Sequence, residues 1–142
     1  MQLTHKEAKF SKHQFPIILV CDNVTNAPNI GSLFRIADAF GVNELIFCGE
    51  QIPIGRRMTK TSRATEKYVK YSTETDVLSV VSQFKDLGYN VISLEISDNS
   101  LSLNQFNFNL KKPLVLIVGD ENFGISEAVL NHSNAILHIN MY

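Results

Sequence analysis

A chain of 142 residues, 44% apolar and 19% charged, has the size of one ordinary domain and can bury roughly two-thirds of its unfolded surface in a single core. That composition, with a mean hydropathy near zero, excludes disordered, collagen-like and cysteine-stapled chains. The net charge of −1 hides an asymmetry: ten Lys and Arg against six Asp and Glu over residues 1–70, three against eight over residues 71–142.

The opening MQLTHKEAKFSKHQF has no apolar core and does not read as a signal peptide; residues 1–15 are set apart as an N-terminal extension. The longest apolar runs, at 16–20 and 113–119, are too short to span a bilayer, so no membrane association and a cytoplasmic location are expected. A buried strand at 16–22 comes first. It leads into a helix over about 29–40, where Ile30, Leu33, Phe34, Ala37 and Phe40 recur at helical spacing before Gly41. A strand at 44–48 and a basic loop follow. Six of the thirteen basic residues, Arg56, Arg57, Lys60, Arg63, Lys67 and Lys70, fall here within fifteen positions, which fits either a polyanion-binding patch or a solvated loop. Next come a strand at 68–72, a helix at 75–87, a strand at 90–96, a polar loop, a strand at 113–119, a short helix at 125–132 and a strand at 135–139. Near-continuous apolar strands alternating with helices predict an α/β fold with a mostly parallel sheet covered on both faces.

Ligands of such sheets bind beyond the carboxyl ends of the strands, which directs attention to the loops at 23–31, 49–63, 97–104 and 119–126. Gly119 to Ser126 has the glycine spacing of a P-loop but Ile125 where the phosphate-binding lysine must stand, and Asp120 and Glu121 would repel a triphosphate. Carboxylates there suit backbone N–H groups, hydroxyl donors or a cationic ligand. No G-x-G-x-x-G follows any strand, so a dinucleotide fingerprint is absent. On the first helix, Gly31, Ser32, Arg35 and Asp38 share a face. A helical glycine costs about 1 kcal/mol relative to alanine, a cost expected where something approaches the backbone closely. Arg35 either serves a site beside those small residues or pairs with Asp38 one turn on. Asn26 or Asn29 can cap this helix. Cys21 and Cys48, without CxxC spacing, read as buried core residues, and His5, His13, His132 and His138 show no metal-ligand spacing.

Two segments, NVTNAPNIGSLFRIADAFGV at 23–42 and LVLIVGDENFGIS at 114–126, resemble the first two motifs of the SpoU (TrmH-like) RNA ribose 2'-O-methyltransferases of the SPOUT superfamily. Asn29, Arg35, Ala37, Ala39, Phe40, Gly41 and Val42 match one motif, and Gly119, Glu121, Gly124 and Ser126 the other; Lys60 to Val69 and Leu94 to Glu95 are also similar to family segments in the same order. The resemblance covers residues 16–142, the span expected to form the catalytic domain. It implies a SPOUT-type fold closed by a trefoil knot, S-adenosylmethionine as methyl donor without a metal, a homodimer with sites at its interface, and RNA as substrate; with fewer than twenty residues before the first strand and so no separate RNA-binding domain, tRNA is expected before rRNA. It makes Arg35 the catalytic candidate, Asn29 its partner and Glu121 an organiser of the site. It sets the methyl donor against Leu94, Glu95, Gly119, Glu121, Gly124, Ile139 and Met141. Arg56, Arg57, Lys60 and Arg63 then become the candidates for RNA phosphate contacts.

A third family motif, with its Ser and Asn pair and final helix, should begin at about His138 to Met141, yet the sequence stops at Tyr142. The knot is therefore expected to be incomplete and the chain to be a truncated form of a longer protein. The alternative to an enzyme is a catalytically inactive RNA-binding or scaffold paralogue of the same fold.

Overall fold

The computed structural model describes residues 14–109 and 111–141, so the N-terminal extension up to residue 13, with His5 and His13, lies outside the described residues. Successive side chains of a strand point to opposite faces. In the first strand, β1 (Phe15–Asp22), both sets are apolar: Ile18 and Val20 on one side, Leu19 and Cys21 on the other, all buried. Such a strand needs cover on both faces. It lies inside a seven-stranded sheet with β2 (Val42–Cys48), β3 (Tyr71–Glu74), β4 (Asn90–Leu94), β5 (Leu101–Ser102), β6 (Leu114–Gly119) and β7 (Ala135–His138). The order is β3-β2-β1-β6-β4-β7-β5, and every pairing between these strands is parallel.

Helices cover both faces, as the alternating pattern predicts. On one side α1 (Ala27–Phe40) and α2 (Arg56–Ser62) bury Ile30, Phe34, Ala37 and Met58 against Leu19, Cys21, Leu45 and Phe47. On the other, α3 (Val77–Asp86) and α4 (Glu127–His132) bury Val80, Val81 and Val129 against Ile18, Val20, Val91, Val115 and Ile117. The start of α1 is fixed by Asn26, whose side chain accepts the Asn29 N–H at 3.1 Å, and Pro28 sits in the first turn where no N–H is needed. Its end is Gly41, at φ 68° in the left-handed region.

The segment read as a basic loop contains α2, a helix with no apolar periodicity and a single buried apolar anchor, Met58. What holds it is the gap in α1 at Gly31. A Cβ there would fall against Thr61 Oγ1 and come within 2.5 Å of the Met58 carbonyl oxygen and 2.7 Å of Ser62 N. The Thr61 hydroxyl reaches the Pro28 carbonyl oxygen at 3.0 Å. The close approach that Gly31 permits is thus made by α2. Two further segments differ from expectation. The strand predicted at 68–72 starts at Tyr71, because β2 sets its register from Leu45 opposite Tyr71, while Val69 is buried against the α1 side of the core. The polar loop after β4 contains the short β5, which pairs with β7.

Candidate functional site

Register places Cys48, Asp22 and Gly119 side by side at the carboxyl edge of the three neighbouring strands β2, β1 and β6. From Gly119 the chain enters a tight hairpin, 120–126, before α4. Five consecutive backbone N–H groups in it are bound by oxygens of the chain itself. Asp120 Oδ2 accepts from Asn122 at 3.2 Å and from Phe123 at 3.1 Å. The Asp120 carbonyl accepts from Gly124 at 2.7 Å. Glu95 Oε2 accepts from Ile125 at 2.8 Å, and Asp22 Oδ2 from Ser126 at 3.1 Å. A phosphate-binding loop needs such donors free. Here the carboxylates of Asp120, Glu95 and Asp22 and the Asp120 carbonyl have taken them, which gives Asp120 of this glycine loop a structural reason and rules against a triphosphate cradle.

Both motif glycines are required by contact. A Cβ on Gly119 would meet the Gly124 backbone, with the carbonyl oxygen at 2.6 Å and Ile125 N at 2.6 Å. A Cβ on Gly124 would strike Glu95 Oε2, and φ there is 68°. Beside the hairpin, the chain leaving β4 forms the opposite wall of a cleft of about 460 Å³, lined by Leu94 to Ser97, Gly119 to Ile125, and Leu130 of α4. Ser97 Oγ is buried in that wall without a hydrogen-bond partner. Its backbone is held from behind, with Ser97 N donating to Ser100 Oγ at 3.1 Å, while that hydroxyl lies 2.9 Å from His138 Nδ1 at the end of β7.

The cleft brings together Leu94, Glu95, Gly119, Glu121 and Gly124. Glu95 is engaged as the lock of the hairpin, whereas Glu121 is exposed with no hydrogen-bond or ion-pair partner among the described residues. Ile139 and Met141 are exposed beyond β7 and do not line it. Neither do Arg35 and Asn29. They belong to α1, which covers the opposite face of the sheet from α4. Arg35 is exposed and does not pair with Asp38 among the described residues; Asn29 is half-buried in the first turn. Arg56, Arg57, Lys60 and Arg63 are exposed on and just after α2, packed on the same side as α1, and form no ion pair among the described residues. Two residues of this site, Ser97 and Phe123, carry no local sequence signal of their role. An acidic residue ending an apolar strand was the available clue to Asp22.

The two cysteines are buried and free. Burial pushes the Cys21 thiol far up, helped by Cys48; burial, then Asp22, Glu74 and Asp76, pushes Cys48 up to about 12. Both are core residues, without thiolate character near neutral pH.

An α/β fold with a parallel sheet and a fixed glycine hairpin beside β4 defines a class, and comparison with known proteins places the chain within it. The model of the SpoU rRNA Methylase family matches residues 16–142, so the chain belongs to that family. A tRNA (guanosine(18)-2'-O)-methyltransferase of Aquifex aeolicus is 28% identical over 134 residues, covering 92% of this chain and 61% of that protein. The 23S rRNA (guanosine-2'-O-)-methyltransferase RlmB of Neisseria meningitidis serogroup B is 24% identical over 128 residues, covering 89% of this chain and 50% of that protein. Among solved structures, an AdoMet-bound rRNA methyltransferase from Sinorhizobium meliloti superposes with a TM-score of 0.82 at 19% identity, over 94% of this chain and 50% of that one. The chain thus spans half to about three-fifths of the length of these three proteins. No helix among the described residues is long and apolar enough to cross a membrane.

Proposed function

We propose that this chain carries the catalytic centre of an S-adenosylmethionine-dependent RNA ribose 2'-O-methyltransferase, acting on tRNA before rRNA, with each active site completed by a second copy. The observation that carries the reading is the cleft between the β4 exit and the locked hairpin, in a chain of this family. Its residues fit the methyl donor. Leu94, Ile96 and Leu130 offer apolar surface to a ring system, and the Ser97 hydroxyl, without a partner among the described residues, is available to hydrogen-bond a polar group of a ligand. When bound, S-adenosylmethionine supplies an electrophilic methyl group on a sulfonium. Glu121 sets a negative charge at the mouth of the cleft, suited to that cation. Ile139 and Met141 extend from β7, the neighbour of β4, and are the residues available to close the third side.

The ribose hydroxyl must be positioned in line and lose its proton. A guanidinium stays protonated, so the role of Arg35 is to stabilise the developing alkoxide or hold the adjacent phosphate, with Asn29 orienting it from the first turn of the same helix. Because Arg35 does not line the cleft of its own chain, a partner copy in a homodimer supplies it. Arg56, Arg57, Lys60 and Arg63 hold the RNA backbone and fix its register. The tRNA assignment follows the Aquifex relative, which shares the higher identity of the two.

Titration calorimetry with S-adenosylmethionine, followed by transfer of labelled methyl to tRNA and rRNA transcripts and nucleoside digestion, tests the reading. Donor binding and label on a ribose 2'-oxygen are expected. A protein that binds no donor overturns it.

A further inference from the structure

Phe123 stands at the tip of the hairpin with 86% of its surface exposed, beside the cleft it helps to line. Single exposed apolar side chains are ordinary on protein surfaces. This one is carried on a backbone that cannot relax to bury it: its own N–H is bound to Asp120, and so are those of Asn122 and Gly124, while Ile125 and Ser126 are tied to Glu95 and Asp22. The backbone that carries the ring is fixed at the rim, with the ring itself in water. Resting on the reading of the cleft as an RNA 2'-O-methyltransferase site, we propose that Phe123 is the stacking platform for the base of the nucleotide being methylated.

The argument is one of connectivity. The 2'-hydroxyl and the base are attached to adjacent carbons of one ribose, so a hydroxyl delivered into the cleft leaves its base at the rim, where Phe123 is. An aromatic face is what an unstacked base requires, and because every base has a π face the contact tolerates sequence. Cys48 and Gly119 flank Asp22 in register, two inter-strand spacings or about 10 Å apart, so the segment leading to α2 and the Phe123 hairpin both leave the carboxyl edge of the sheet. One RNA strand can meet Arg56 and Arg57 through its phosphates and Phe123 through a base. The chain neighbours of the ring, Glu121 and Asn122, are exposed polar residues, which suits a solvated contact with RNA.

The test uses the full-length protein with Phe123→Ala, Phe123→Leu and Phe123→Trp, reading RNA affinity, kcat and KM for RNA, donor affinity and sedimentation. Phe123→Ala should raise the Kd and KM for RNA about tenfold to a hundredfold, with the thermal midpoint unchanged. Phe123→Trp should restore wild-type values, and Phe123→Leu should not. Unchanged RNA affinity in Phe123→Ala, or full function in Phe123→Leu, overturns the stacking role while leaving the enzymatic reading intact. Dissociation of a dimer by Phe123→Ala would assign the ring to contact between copies and equally overturn it. A wild-type protein that transfers no methyl to RNA would instead overturn the reading on which the proposal rests.

Discussion

The carboxylate of Glu95 accepts the Ile125 N–H at 2.8 Å and occupies the space that a Cβ on Gly124 would need. One side chain thus both holds the hairpin and dictates its glycine. Gly124→Ala should lose about 1–2 kcal/mol from the left-handed backbone alone, with the displaced carboxylate adding roughly 1 kcal/mol or more through the orphaned N–H. In a Glu95→Ala background the obstacle is gone and only the backbone cost remains, so the two substitutions should couple in a double-mutant cycle. Chemical unfolding of the four proteins measures this. Strict additivity would mean that the two residues do not touch.

Gly31 poses the opposite question from an ordinary helical glycine. At an exposed site Gly→Ala would stabilise by about 1 kcal/mol. Here the added methyl meets the Met58 carbonyl and Ser62 N of α2, backbone atoms that yield only if α2 moves. Overpacking of this kind costs roughly 1–3 kcal/mol. Gly31→Ala should therefore be destabilised in urea unfolding, and Thr61→Ala in the same chain should recover only part of the loss. A more stable Gly31→Ala would show that α2 does not dock on α1.

These two glycines mark how far the sequence can be read. The buried strands β1, β2, β4 and β6, with α1 and α3, are legible because their apolar residues form continuous runs or repeat with the period of the element and face a core. The helix α2 is not, since Met58 is its only apolar anchor and its stability comes from a contact with α1 thirty residues away. A glycine signals that something must come close but not what: a helix at Gly31, a carboxylate at Gly124. The hairpin locks are equally silent, because Asp22 and Ser126 lie 104 positions apart and meet only through the order of the sheet. Arg35 and Glu121 could be read from the motifs, but periodicity does not tell which face of the sheet each helix covers.

The exposed cations of α2 give a measurable signature of RNA contact. Each phosphate neutralised on binding releases counterions and adds about 0.9 to the slope of log affinity against log salt on duplex-like RNA, somewhat less on single strands. Replacing Arg56 and Arg57 together by alanine should weaken RNA binding and lower that slope by about 1–2. Both are exposed, so the unfolding midpoint should stay where it is. An unchanged slope would return the two residues to the role of solvated surface charges.

Arg35 lies on α1, on the face of the sheet opposite α4, while Glu121 lies in the hairpin that lines the cleft and leads into α4; in the proposed reading the two meet in one reaction centre by coming from different copies. Arg35→Ala and Glu121→Ala should each abolish methyl transfer without altering the circular dichroism spectrum, because both side chains are exposed. Co-refolded mixtures of the two variants then discriminate between the arrangements. If the site is shared, a mixed dimer holds one centre with both defects and one with none, so activity should reappear, approaching a quarter of the wild-type value at equal mixing because half the dimers are mixed and each has one intact centre. If each chain builds its site alone, every centre in the mixture keeps one defect and no activity returns. Recovered turnover would assign Arg35 to the partner copy's cleft, and persistent inactivity in a verified mixed dimer would remove it from that place.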